Sequence, residues 1–225
     1  MYLSLIPSLL LSFATTFANS AALPSTDFSP RTLIQIPTAS QILSIAPTSS
    51  ICANAPYPSE CRTASQVSSA ISASFNYYSL STVGEQAAVL STMAFESGEF
   101  KYNINYWPGN PGQGTRNMQS AQYNLLYALS VEVIASKVYA ITASTSASSL
   151  STTQQNAIRS LLTSNDELDF GSAAWFLATQ CSQSVREGVR SGTQAGWEAY
   201  VGCIGTSVTS ERQGYWESAM TVLSG

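Results

Sequence analysis

The sequence predicts an all-α domain, α+β at most with one small hairpin. Three observations predict it. Apolar residues recur with a helical period through most of residues 60–223. Ser and Thr stand where several of these periodic stretches begin, as helix caps do. Only one internal segment, residues 97–119, is dense in Gly, Pro and Asn, and there aromatic and polar residues alternate as in a loop or short hairpin.

Taken in order, residues 1–20 read as a secretory signal peptide. They are apolar, lack acidic residues and end on Ala18-Asn19-Ser20, a small-x-small cleavage pattern. Residues 21–51 are rich in Ser, Thr and Pro with scattered Ile and Leu, and read as a flexible leader. Residues 52–225 are long enough for one domain with its own core. Within it, residues 60–79 carry Val67, Ala70, Ile71 and Phe75 at helical spacing. The next segment, 81–97, is apolar on nearly every face, which places it inside the domain. Ser81 or Thr82 caps it, with Glu85 three residues after Thr82 as a capping-box partner. After the loop, residues 120–144 read as one long helix with Leu125, Leu126, Leu129, Val133, Ile134 and Val138 as its buried stripe. A polar linker leads to a short amphipathic helix capped at Ser151 or Thr152, which Asn165-Asp166-Glu167 ends. Residues 170–182 form another apolar helix, with Trp175 and Phe176 in the core. Two more helices, bearing Trp197 and Trp216, close the chain.

Four cysteines, Cys52, Cys61, Cys181 and Cys203, in a chain with a secretory leader predict two disulfides. Three pairings are open, and Cys52–Cys61 with Cys181–Cys203 is the simplest. The chain has no histidine and no C-x-x-C, so neither a zinc site nor a His-dependent nucleophile is expected, and no metal or cofactor is assigned. The net charge of −4 and pI near 4.7 give phosphate no attractive field, so nucleic acid is not an expected partner. No segment after the first twenty residues reads as a membrane span. The domain is expected to be secreted and monomeric.

The candidate chemistry lies at the stretch Thr92–Asn103, TMAFESGEFKYN. Glu96 ends the most apolar helix of a chain with only 10% charged residues. A carboxyl there is partly desolvated and sits at the negative end of a helix dipole; both disfavour its charge and suit it to proton donation. Glu96-Ser97-Gly98-Glu99-Phe100, then Gly112-Gln113-Gly114-Thr115 and Asn117-Met118-Gln119, then a helix starting near Gln122, resembles the active-site signature of soluble lytic transglycosylases and goose-type lysozymes. The resemblance covers roughly residues 82–130. It departs at Arg116-Asn117, where the family has Gly-Leu, and in a longer loop. It implies a divergent, fungal-type secreted member of the lysozyme-like superfamily, with a substrate cleft.

The resemblance makes Glu96 the general acid and points Gln119 into the cleft. It gives Ser97 the task of orienting Glu96 or contacting an N-acetyl group, and sets Tyr127 on the helix that follows. Tyr102, Tyr106 and Trp107 offer stacking faces to pyranose rings, while Asn103, Asn105 and Asn110 offer amides to hydroxyls. Phe100 reads better as local core. A later substrate-facing tyrosine has its counterpart in Tyr200 or Tyr215. No second carboxylate is evident: Glu99 falls on another face, and Asp166, Glu167 and Asp169 read as a loop and helix cap. The expectation is a secreted muramidase or lytic transglycosylase acting on β-1,4 bonds between amino sugars of peptidoglycan. Chitinase- or chitosanase-like action, or a non-catalytic wall-binding effector on the same scaffold, are the alternatives.

Overall fold

The computed structural model describes residues 36–225, and among them ten α-helices form. They are α1 (Ala39–Ile45), α2 (Ala64–Tyr77), α3 (Val83–Glu96), α4 (Ala121–Ser130), α5 (Glu132–Ile141), α6 (Thr152–Thr163), α7 (Asp166–Thr179), α8 (Gln183–Arg190), α9 (Gln194–Cys203) and α10 (Ser210–Ser224). No strand forms among the described residues. The hairpin expected in the loop is reduced to two isolated bridges, Ile104 with Gly114 and Gly114 with Gln119. The signal peptide and residues 21–35 of the leader lie outside the described residues.

Local capping explains where the helices start. Thr38, Thr63, Thr82 and Ser151 each accept from the backbone N–H three residues on. Gln41, Gln66, Glu85 and Gln154 return a bond to the cap's own backbone. Each box satisfies two orphan donors and sets the entry angle of its helix.

Helix α3 is the axis. Every residue from Gly84 to Ala94 is buried, because α1, α7, α8, α9 and α10 pack around it. This is why its sequence is apolar all round. Helix α7 is similarly enclosed from Asp169 to Leu177 and is shared by two cores. Phe170, Ala173, Ala174 and Leu177 join the core around α3, where Trp197 and Trp216 also stack at 5.1 Å. Trp175 and Phe176 turn into a second core with α4, α5 and α6.

Two expectations change. Within the leader expected over residues 21–51, Ala39–Ile45 is helical and Pro47–Ser50 a 3-10 turn, with Ile42 and Ile45 buried against α2 and α10. So short a helix owes its stability to packing rather than propensity, and the Ser/Thr/Pro composition hid its apolar side. The long helix of residues 120–144 is two. Val131 is extended (φ −97°, ψ 104°), and Ser130 Oγ donates to the Tyr127 carbonyl at 2.7 Å, competing for an acceptor the helix would use. The turn moves Val133 out of the expected stripe, leaving it 78% exposed.

The two disulfides are Cys52–Cys61, closing the loop before α2, and Cys181–Cys203, joining the segment after α7 to the end of α9. No helix among the described residues is long and apolar enough to cross a membrane.

Helices α8 and α9 cross at backbone contact. A Cβ on Gly196 would lie 1.9 Å from the Gly188 carbonyl oxygen, whereas one on Gly214, on the exposed side of α10, meets nothing within 4 Å. Gly196→Ala is therefore expected to lower stability by about 1–3 kcal/mol. Gly214→Ala should raise it by about 0.5–1 kcal/mol through helix propensity. Urea denaturation of the two variants measures both signs.

Candidate functional site

The loop of residues 97–120 is held by a side chain buried beneath it. Arg116 is fully buried. Its Nε donates to Asp169 Oδ2 at 2.8 Å, its Nη1 to the Phe100 and Tyr102 carbonyls at 2.8 and 3.1 Å, and its Nη2 to the Glu60 carbonyl at 2.6 Å. Its guanidinium also lies 4.6 Å from the Phe170 ring centre. One residue thus ties the loop to α7 and to the disulfide-closed segment before α2. Asn103 Nδ2 donates to the same Asp169 oxygen at 2.9 Å. Glu60, also buried, accepts from the N–H groups of Asn103 and Ile104 at 2.9 and 3.2 Å and from the Tyr106 hydroxyl.

These anchors hold a strained backbone. Glu99, Phe100, Thr115 and Met118 all have positive φ, between 47° and 68°. Conformations of this kind cost on the order of 1–3 kcal/mol each and persist where their surroundings over-determine them.

The result is a polar cavity of about 380 Å³, a volume suited to a small ligand. Glu96 borders it from the end of α3, Asn117 and Gln119 from the loop, Tyr123 from α4 and Arg212 from α10. The amides are fixed. Asn117 Nδ2 donates to Gln119 Oε1 at 3.1 Å, and Gln119 Nε2 donates to Asn124 Oδ1 at 2.8 Å. Glu96 has a cation partner, Arg212 Nη2, at 2.6 Å from its Oε1, and that guanidinium stacks 4.2 Å from the Phe95 ring centre. The expected apolar environment of the Glu96 carboxyl is thus corrected to an ion pair. Among the residues lining the cavity, Glu96 is the only carboxylate.

Of the residues assigned to the cleft from sequence, Glu96 and Gln119 come together, whereas Ser97, Tyr102, Tyr106, Trp107, Tyr127, Asn103, Asn105 and Asn110 do not line the cavity. Ser97 is fully buried and serves α3, its Oγ donating to the Met93 carbonyl at 2.6 Å and accepting from the Phe100 N–H at 2.9 Å. Tyr102 packs edge-on against Tyr57 and Tyr106. Trp107 is 89% exposed and does not line the cavity. Tyr127 is buried between α4 and α7, beside Trp175. The later tyrosines are also placed elsewhere. Tyr200 is core, and the Tyr215 hydroxyl donates to Glu99 Oε1 at 2.7 Å. Phe100 is core, as expected, against Phe170.

Arg212 and the Arg116–Asp169 pair escaped the sequence reading, and a signal for the first was present. Arg212 stands in the first turn of α10, where a helix dipole disfavours a cation, and Glu96 in the last turn of α3, where it disfavours an anion. Two charges each misplaced on its own helix are compatible when they face one another. The acidic cluster read as loop and cap is divided. Asp166 takes Arg62 Nε on both oxygens at 2.8 and 2.9 Å, while Asp169 is the buried partner of Arg116.

The molecule is thus an all-helical domain with two disulfides and a polar cavity at the meeting of α3, α4, α10 and an arginine-anchored loop. No family model matches the chain, and no solved structure matches it significantly. A stretch of 152 residues is 40% identical to part of a Fusarium oxysporum (strain Fo5176) protein described as a bifunctional dioxygenase–epoxy alcohol synthase. The match takes in 67% of this chain and 12% of that protein, so the chain spans a small part of its relative's length.

Burial pushes the Asp169 carboxyl up to about 6, against the pull of Arg116 and of the Asn103 hydrogen bond; its Oδ1 finds no partner among the described residues. A proton held more tightly in the folded than in the unfolded state stabilises the fold fully below the unfolded value near 3.8 and ceases to as pH rises through about 6. The melting temperature is therefore expected to fall between pH 4.5 and 7, with a shallower fall in Asp169→Asn. Arg116→Met, which leaves Asp169 buried without its partner, is expected to cost about 3–5 kcal/mol in denaturant titration at pH 7.

Proposed function

We propose that this domain is a secreted glycosidase of muramidase or lytic transglycosylase type, acting on β-1,4 bonds between amino sugars, with peptidoglycan as the first substrate and chitin or chitosan as the alternatives. One observation carries the reading: the Glu96 carboxyl and the Gln119 amide border the same polar cavity, flanked by Asn117 and Tyr123. Amides and a phenol suit hydroxyl and acetamide groups, and a single carboxylic acid suits protonation of a leaving glycosidic oxygen. In this scheme Glu96 donates the proton. With no second carboxylate among the lining residues, the substrate's own acetamide or 6-hydroxyl attacks the anomeric carbon. Two disulfides, and the lack of a membrane-length apolar helix among the described residues, are compatible with an extracellular site of action.

The Fusarium relative's name raises an oxygenase reading. This chain has no histidine, both pairs of its cysteines are closed in disulfides, and no cluster of metal-ligating side chains occurs among the described residues. A 12% share of that protein leaves room for its named activities to lie in other parts of it. The similarity supports a different point: this domain recurs as a segment of a longer fungal chain.

A second reading has an observation of its own. The 2.6 Å pair between Glu96 and Arg212 engages the carboxyl with a partner inside the protein, which favours a non-catalytic wall-binding protein on the same scaffold. The two readings separate in one experiment. Wild-type protein is expected to clear a bacterial wall suspension and release soluble fragments. Glu96→Gln, which keeps the shape, is expected to slow this by about 10²–10⁴-fold. Equal clearing by the variant removes Glu96 from the mechanism. Sedimentation with walls or chitin but no fragments from the wild type establishes the binding reading.

A further inference from the structure

A second cavity, of about 450 Å³, opens between α2, the α4–α5 junction and the start of α7, and shares no lining residue with the Glu96 cavity. Tyrosines dominate it. Tyr77 and Tyr78, at the end of α2, meet edge to face with ring centres 4.8 Å apart and planes at 77°. Tyr127 is buried in the wall. Gly171 of α7 makes room for it: a Cβ there would lie 2.7 Å from the Tyr127 hydroxyl oxygen. Burial pushes the Tyr78 hydroxyl up to about 12, so this wall is neutral in any ordinary medium.

The rim carries charge of one sign. Glu132 and Glu167 both line the opening, both are exposed, and neither has an ion-pair partner among the described residues. No Lys or Arg lines it. Tyr77 and Val133, two of the most exposed large apolar side chains among the described residues, at 80% and 78%, stand on the same rim. The arrangement does not suit a metal ion, since two carboxylates on separate helices fall short of a ligand set. An anion would be repelled, and a neutral apolar molecule would leave both carboxylates unused.

Aromatic faces beside unpaired carboxylates attract a cation with apolar shoulders, whose charge the ring quadrupoles and the carboxylates stabilise together. We infer that this cavity binds a small organic ammonium, with its cationic head against Tyr77 and Tyr78, its charge balanced by Glu132 and Glu167, and its alkyl portion directed toward Tyr127.

The test is a titration of the full domain, followed by calorimetry or amide chemical shifts, with three probes that share one alkyl chain: hexyltrimethylammonium, 1-hexanol and hexanesulfonate. Saturable binding is expected in the order cation, alcohol, sulfonate. Tyr77→Ala, at an exposed position that the fold does not need, is expected to weaken the cation several-fold. The double variant Glu132→Gln/Glu167→Gln is expected to bring cation and alcohol to within about twofold of each other. Equal binding of the three probes, cation affinity unchanged in both variants, or no saturable binding to the wild type overturns the inference. So does capture of a lysine-containing peptide when none of the three probes binds, which would make the cavity a peptide-docking surface.

Discussion

The ion pair between Arg116 and Asp169 is the constraint on which the cavity depends. Two charges with no exposed surface carry a large desolvation penalty, and Coulomb attraction offsets it only when the remaining donors are satisfied. Arg116 meets that condition by spending its other donors on the carbonyls of Glu60, Phe100 and Tyr102. Those carbonyls belong to the segment before α2 and to the loop after α3. A charge that had to be satisfied therefore determines where the loop runs, and with it where Asn117 and Gln119 face the cavity. The positive-φ residues around it are tolerated because this network leaves them no alternative.

A second electrostatic match completes the site. Glu96 and Arg212 each oppose the dipole of the helix that carries them, and each answers the other across the cavity edge. In the proposed chemistry the pair has two consequences: it holds the carboxyl at the cavity edge, and it must release it before a proton can be donated. Arg212 also covers Phe95, so its position is fixed by packing as well as by charge.

Much of the helical architecture was legible from periodicity. The caps at Ser81 or Thr82 and at Ser151 or Thr152, the all-apolar run of α3 and the apolar run within α7 read directly to within a residue, because one turn or one face decides them. Elements decided by distant contacts did not. Ile42 and Ile45 looked like stray apolar residues in a Ser/Thr/Pro leader until α2 and α10 covered them. Val131 interrupts a periodic stretch that sequence alone continues. In the site, Glu96 and Gln119 were legible from their local pattern, whereas Ser97 was drawn into structural work by the end of α3. Tyr102 went to a separate aromatic surface where Tyr57 stacks on Tyr106 at 3.9 Å, and Trp107 stands exposed. Arg116 looked like a departure from a motif and is the anchor of the loop; no local pattern pairs it with a residue fifty-three positions on.

In the proposed function, the arginine-anchored cavity holds an amino-sugar polymer with a glycosidic oxygen within reach of Glu96. Mass spectrometry of the soluble fraction released from purified peptidoglycan, and in parallel from chitin oligomers, addresses it without any variant. Fragments cut at the β-1,4 bond between amino sugars, ending either in a reducing sugar or in an internal anhydro ring, are expected. Polymer recovered intact from both substrates across the acidic and neutral range would contradict it.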